Sequence, residues 1–204
     1  MSGYNKAADL VLKQMLAALD FLAFAGYVHR DVKPGNILYQ KNSDGSYHFQ
    51  LADFGISNTL QRMGWAETPC GTENYYAPEI FHRDPHNSKA DVWSLYVTMV
   101  WLMNTRGFRH MSFNREEHLY KFLLEAAELE PNLEQLRPMA VYDPAYRASA
   151  AMMLKNIYQG FGLSTPFDTV KRLSPDLWQN WWSRVRRGKT GYSQKVLETV
   201  GGYY

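Results

Sequence analysis

Cysteine is almost absent: Cys70 stands alone among 204 residues. One thiol cannot close an intramolecular bridge, which excludes a small disulfide-held extracellular scaffold and points to a reducing compartment, cytoplasmic or nuclear. Long apolar runs are missing as well. The longest, Val92 to Met103, is 12 residues with Ser94 and Thr98 inside it, short of the roughly 20 that span a bilayer, so it reads as a buried helix and no membrane partner is expected. The amino terminus has no basic region followed by an apolar stretch, so no secretory signal is visible. Charge of one sign is scarce too: 22 basic residues face 20 acidic ones, a net charge of +2, which does not call for a polyanionic partner.

What is present is ordinary for a folded chain. Hydrophobic residues make up 46% and charged residues 21%, which excludes a wholly disordered or collagenous protein, and 204 residues suit one dominant core. The carboxy-terminal stretch 161–204 differs, with seven Lys/Arg against three Asp/Glu, while 1–160 carries 15 against 17.

Apolar residues at Leu12, Met15, Leu16, Leu19 and Leu22 share one helical face, which predicts a helix from Ala7 to Ala25 stopped by Gly26. Strands are expected at Ile37 to Tyr39 and Tyr47 to Ala52, joined through the Asp44-Gly45 turn. Residues 53–79 hold Gly55, Gly64, Pro69, Gly71 and Pro78 with little helical period, the mark of a long irregular segment, and such loops are usually functional. Helices return at Val92 to Met103, Glu116 to Leu129 and Pro144 to Ile157, with connectors broken by Pro131 and Pro138. No internal repeat or low-complexity tract appears.

The chemistry is concentrated in three strings. His29-Arg30-Asp31-Val32-Lys33-Pro34-Gly35-Asn36 is followed, 17 residues after Asn36, by Asp53-Phe54-Gly55, and later by Ala77-Pro78-Glu79. One triplet alone would be weak, but all three in this order, separated by a hairpin and a long loop, resemble the catalytic loop, metal-binding triplet and activation-segment end of eukaryotic-type serine/threonine protein kinases. Gly71-Thr72, Tyr76, Asp91-Val92-Trp93-Ser94 and Arg147 add to the match, which runs from about Ala7 to Tyr158 and covers only the carboxy-terminal lobe of that family.

Phosphoryl transfer spreads charge over equatorial oxygens, so its catalysis is mostly positioning and electrostatics. The resemblance implies ATP and Mg²⁺ as cofactors and a protein hydroxyl as acceptor. It makes Asn36 and Asp53 the metal ligands, hard oxygen donors of the kind Mg²⁺ takes, and Asp31 the base that receives or orients the hydroxyl proton. Lys33 offers a point charge to the transferred phosphate, and in this family a lysine there accompanies Ser/Thr specificity. His29 is expected to support the loop by packing and local hydrogen bonds. Arg30 is either a structural hydrogen-bonder or a receiver of activation-loop phosphate; the resemblance favours the second. Thr68 is the candidate phosphorylation site, although exposed loop threonines are usually unmodified, and Thr72 is expected to hydrogen-bond Asp31 and Lys33. Glu79 and Arg147 resemble a buried scaffold ion pair, and Asp91 a carboxylate that fastens the catalytic loop through its backbone. Tyr96 departs from the family, which usually has glycine there, and implies local repacking.

A complete kinase also needs a Gly-rich phosphate-covering loop, a strand lysine and a helix glutamate. None of these is found in the 204 residues. The expected fold class is therefore α+β and mainly α-helical: a kinase-like carboxy-terminal lobe at 1–160 with a small hairpin and no amino-terminal lobe, then a tail at 161–204 that packs on the lobe or is partly disordered. Two accounts stand side by side. The chain is a fragment of a serine/threonine kinase, inactive alone, whose missing lobe comes in cis or from a partner in trans; or it is a non-catalytic kinase-like binding module. The tail places Trp178, Trp181 and Trp182 before Arg-Val-Arg-Arg-Gly-Lys, readable as a docking or nucleic-acid segment or, more simply, as aromatics packed on their own domain beside a solvated basic face; nucleic acid is not an expected partner.

Overall fold

The computed structural model describes residues 6–54, 58–59, 73–173 and 176–186. Helix α1 (Lys6–Phe24) buries Leu12, Met15, Leu16 and Leu19, the expected face. It ends where Gly26 takes φ +83°, a left-handed value that glycine adopts without a Cβ clash. Strand β1 (Tyr27–Val28) follows, then a 3₁₀ turn at Pro34–Asn36 leads into the hairpin of β2 (Ile37–Lys41) and β3 (Tyr47–Leu51). Its register sets Ile37 opposite Leu51 and Tyr39 opposite Phe49. At the turn Gly45 has φ +82° and the Asp44 carboxylate accepts the Ser46 N–H and hydroxyl, so the Asp-Gly pair acts as expected. A short strand β4 (Asn58–Thr59) pairs antiparallel with β1; sequence pattern did not reveal it, since two residues carry no period.

The helical body is built around α3 (Lys89–Leu102), whose residues are buried from Ala90 through Val100. A helix apolar on all sides belongs in a core, and here it is packed by α1, by α4 (Glu116–Leu129) and by the 3₁₀ segment Pro131–Met139. Trp93, Tyr120 and Tyr142 meet edge to face, with centroids 5.6 to 6.4 Å apart. Tyr96 lies fully buried against Trp93, and its hydroxyl donates to the Leu123 carbonyl at 2.7 Å. The ring that replaces the usual glycine thus ties α3 to α4.

The helix expected over Pro144 to Ile157 is shorter: α5 spans Ala150–Tyr158. The Ser149 hydroxyl accepts the Met152 N–H at 3.2 Å and fixes the start. Before it, Asp143 accepts the Ala145 N–H and the Ala148 N–H turns to the Pro138 carbonyl, bonds that a helical backbone there would lose. Helix α6 (Leu177–Arg186) brings Trp178 and Trp181 into the core, both buried, while Arg184 donates to the Tyr146 hydroxyl at 3.0 Å.

One ion pair joins the short helix α2 (Pro78–Phe81) to this body. The Arg147 guanidinium donates to both carboxylate oxygens of Glu79, at 2.6 and 2.9 Å, with both side chains fully buried. It also donates to the carbonyls of Lys89, Val141 and Tyr142 and lies 5.1 Å from the Trp93 ring. Removing one partner of such a pair strands the other in low dielectric, at a cost of about 3 to 5 kcal/mol. In urea denaturation Arg147→Met is expected to destabilise more than Glu79→Gln, because it also orphans three carbonyl acceptors; equal or sub-kilocalorie losses would remove the pair from this role.

Candidate active site

The loop between β1 and β2 is shaped from beneath. The Asp91 carboxylate, buried in the first turn of α3, accepts the His29 N–H at 2.7 Å and the Arg30 N–H at 2.8 Å, one on each oxygen. Immediately beyond that bracket Arg30 takes φ +74°, a left-handed conformation that costs a non-glycine residue about 1 to 3 kcal/mol. His29 is buried; its Nε2 lies 3.1 Å from the Ala52 carbonyl and its Nδ1 accepts the Asp31 N–H at 3.3 Å. With a carbonyl facing Nε2, the proton resides there and the ring is neutral, and burial pushes its pKa below the usual 6.5. The ring is a support, as expected for a residue that packs.

The result is an Asp31 carboxylate with two unlike oxygens. Its Oδ2 accepts from Lys33 Nζ at 2.6 Å and from Asn36 Nδ2 at 2.8 Å. Asn36 spends the same amide nitrogen on the Asp31 carbonyl, also at 2.8 Å. One oxygen is therefore clamped by two donors, and neither of them is spent on Oδ1. The Asn36 amide nitrogen being so used, its Oδ1 is the atom turned elsewhere, which suits a cation. Proline at 34 opens the 3₁₀ turn that places Asn36 five residues after Asp31.

Asp53 is exposed and held at φ +63°, a region aspartate tolerates better than most residues. The hairpin brings it close to Asn36: the Ala52 N–H donates to the Asn36 carbonyl at 2.8 Å, one residue before Asp53. Phe54 packs its ring edge-on to His29 at 5.0 Å. Ala52 is the anchor that sequence reasoning missed. It works through its backbone alone, binding Asn36 with its N–H and His29 with its carbonyl, and so left no side-chain signal.

Among the described residues no group of three or more His, Cys, Asp or Glu side chains could hold a metal alone. The Asn36–Asp53 pair is a sparse oxygen set, the kind that fits Mg²⁺, which keeps several waters and takes further ligands from phosphate. Lys33 is about a quarter exposed, and Asp31 much less so, which leaves the lysine able to swing toward an anion. Arg30 lies half-buried, close enough to His86 that its charge helps hold the imidazole below its usual pKa, after burial as the main cause. Gly55, Thr68, Gly71 and Thr72 lie outside the described residues, and with them the candidate phosphorylation site and the hydrogen bonds expected of Thr72.

A family described as "Protein kinase domain" matches residues 4–159. Among similar curated proteins, "Serine/threonine-protein kinase ATG1" of Debaryomyces hansenii is 34% identical over 161 residues, which are 68% of this chain and 18% of that protein. "Calcium/calmodulin-dependent protein kinase type 1" of Caenorhabditis briggsae is 41% identical over 90 residues, 44% of this chain and 25% of that one. "Ribosomal protein S6 kinase alpha-2" of Mus musculus is 36% identical over 100 residues, 48% of this chain and 14% of that one. The chain spans a quarter or less of the length of these relatives.

Burial outweighs the two N–H donors at Asp91 and pushes its carboxyl up to about 6. A carboxyl raised above its unfolded value of about 3.9 keeps its proton in the fold when the unfolded chain has lost it. Its stabilising contribution is thus full below about pH 4 and lost as pH rises through about 6. The depressed His29 acts in the opposite sense, stabilising above pH 6.5 and losing that contribution as pH falls below it. The ¹³C carboxyl resonance of Asp91 is expected to titrate with a midpoint near 6; a midpoint in the ordinary carboxylate range would show that the backbone donors outweigh burial.

Proposed function

We infer, since the chain belongs to the protein kinase family, that residues 29–54 form the base-and-metal half of a serine/threonine protein kinase site, which in its complete form moves the γ-phosphate of ATP to a protein hydroxyl. The observation that carries this is the clamped Asp31 carboxylate: Lys33 and Asn36 hold one oxygen, and the other is oriented to accept a proton.

The roles are those the family resemblance implies, and the geometry around Asp31 supports them. Asp31 Oδ1 accepts the hydrogen bond of the incoming serine or threonine hydroxyl and takes its proton as the new O–P bond forms. The bond from the γ-phosphorus to the bridging oxygen breaks, and ADP leaves with that electron pair. Lys33, released in part from Asp31, follows the negative charge on the moving phosphoryl group. Asn36 and Asp53 are the residues that would hold Mg²⁺, which when bound neutralises phosphate charge. Asp91 keeps the loop in register without touching substrate, and Val32, buried under the loop, seats it on the core. Arg30 is assigned the reception of an activation-segment phosphate, with Thr68 as its source. The acceptor is a protein, and the working compartment is the cytoplasm or nucleus, in keeping with the single cysteine. No described helix is long and apolar enough to cross a membrane.

The phosphate-covering loop and strand lysine are not in this sequence, so the second half of the site is assigned to a further segment in cis or to a partner in trans. The 204-residue chain, purified alone, is expected to show no ATP- and Mg²⁺-dependent phosphorylation of a protein substrate. The native polypeptide, captured from its source with the other half present, is expected to be active, and Asp31→Asn should lower its turnover by about 10²- to 10⁴-fold with an unchanged unfolding temperature. Full turnover in a folded Asp31→Asn protein would overturn the assignment.

A further inference from the structure

Helix α1 has a second apolar face that its own core covers only in part, at Ala17. At about 100° per residue, Leu10, Ala17, Phe21 and Phe24 fall within an arc of roughly 80° on the side away from Leu12, Leu16 and Leu19, with Lys13 at its edge. Phe21 and Phe24 are 58% and 60% exposed. The segment after α5 runs along this side of the helix. Gly162 lies against Ala17, and the Ser164 and Thr165 N–H groups and the Thr165 hydroxyl all donate to the buried Asp20 carboxylate. This segment adds two more rings, Phe161 at 67% and Phe167 at 48% exposure, on either side of Gly160, which Phe167 overlies.

Each added ring carries a lysine. Lys13 Nζ sits 3.7 Å from the Phe161 centroid and Lys155 Nζ 4.1 Å from that of Phe167. Beyond them Lys171 and Arg172 are exposed. Between Phe24, Lys89 and Lys171 lies a cleft of about 370 Å³, lined also by Asp20, Ser149 and Thr165. The acids nearby are Asp9, whose carboxylate accepts from the Tyr158 hydroxyl, Asp20, which accepts the three donors above, the buried Asp143, whose charge acts on Lys89, and the exposed Asp168. The side is therefore aromatic and basic together. Four half- to two-thirds-exposed phenylalanines on one side of a small domain mark a surface that something covers, and the lysines beside them call for an anionic cover. A cleft of this volume takes a small anionic group and not a helix.

We propose that this face of α1 and residues 160–172 is a docking surface for an anionic phospholipid bilayer: the phenylalanines enter the interfacial layer, Lys13, Lys171 and Arg172 lie among the phosphates, Lys155 holds the segment by donating to the Phe167 and Val170 carbonyls, and the cleft admits one headgroup. Apolar insertion and basic attraction together give reversible binding where either alone is marginal. This is contact with a surface, which the shortage of long apolar runs does not exclude.

The 204-residue chain is to be sedimented with vesicles of phosphatidylcholine and with vesicles that also contain phosphatidylserine, at low and high salt. Binding is expected to the anionic vesicles only and to be released by salt. Phe24→Ser/Phe161→Ser and Lys171→Glu/Arg172→Glu should each lower the partition coefficient about tenfold or more. All four side chains are at the surface, so the variants should keep the wild-type unfolding temperature, which is measured alongside. Failure to bind anionic vesicles would overturn the proposal in favour of an acidic protein segment as the cover. Equal binding to neutral vesicles, or undiminished binding by both folded variants, would overturn it as well.

Discussion

The position of every chemically relevant atom in this chain traces back to one buried carboxylate. Asp91 sits in the first turn of the most deeply buried helix and takes two consecutive backbone N–H groups of the loop above it. Two adjacent N–H groups meet one carboxylate there, and the chain turns at the very next torsion, where Arg30 is left-handed. That turn aims Asp31, and Asp31 in turn organises Lys33 and Asn36. A charged acceptor makes such hydrogen bonds roughly twice as strong as neutral ones. Burial works against the charge and raises the pKa of the same group. The site is thus fixed by a group whose ionisation is opposed by the location that makes it effective.

A second constraint keeps α3 itself in place. The Glu79–Arg147 pair ties α2 to the region before α5, and Arg147 reaches the Lys89 carbonyl at the start of α3. Buried ion pairs contribute little net stability compared with apolar packing, but they penalise every arrangement in which they are not formed. Here the arrangement they select sets α2, α3 and the loop before α5 in one register. Tyr96 extends the same logic to α4 through its hydroxyl bond to Leu123. A glycine in its place could make no such tie.

Much of this was legible in the sequence where chemistry is local. The α1 face, the Asp44-Gly45 turn, the buried helix at Val92 and the span Glu116–Leu129 follow from spacing and turn residues, and the first of the three strings named Lys33 and Asn36, which the structure gathers around Asp31. The failures also have a common cause. The helix expected from Pro144 begins only at Ala150, because the stretch before it uses its backbone groups on Asp143 and Pro138. The β1–β4 pair and the Ala52 anchor are likewise backbone events. Apolar periodicity reports which side chains are buried; it is silent on which N–H meets which carbonyl over a long separation. The α1 outer face is hidden for another reason: Leu12, Met15, Leu16 and Leu19 already account for an amphipathic helix, and Phe21 and Phe24 fall off that period.

The division of labour inside the site follows from the same geometry. Asp31, Lys33 and Asn36 lie on one loop, and both structures that fix that loop, Asp91 below and Ala52 beside it, belong to the described residues. On the proposed roles, proton acceptance by Asp31 needs no preorganisation from outside this unit, since the hydrogen bonds from Lys33 and Asn36 are already made. Grip on the nucleotide is different. Nothing among the described residues reaches over the hairpin, whose Leu38 and Tyr39 are exposed, and a base without a held phosphoryl donor gains no rate. A partner of these residues, in cis or in trans, would supply binding energy and closure to a base already aimed, so its arrival would act as a switch on turnover and leave the geometry of the base unchanged.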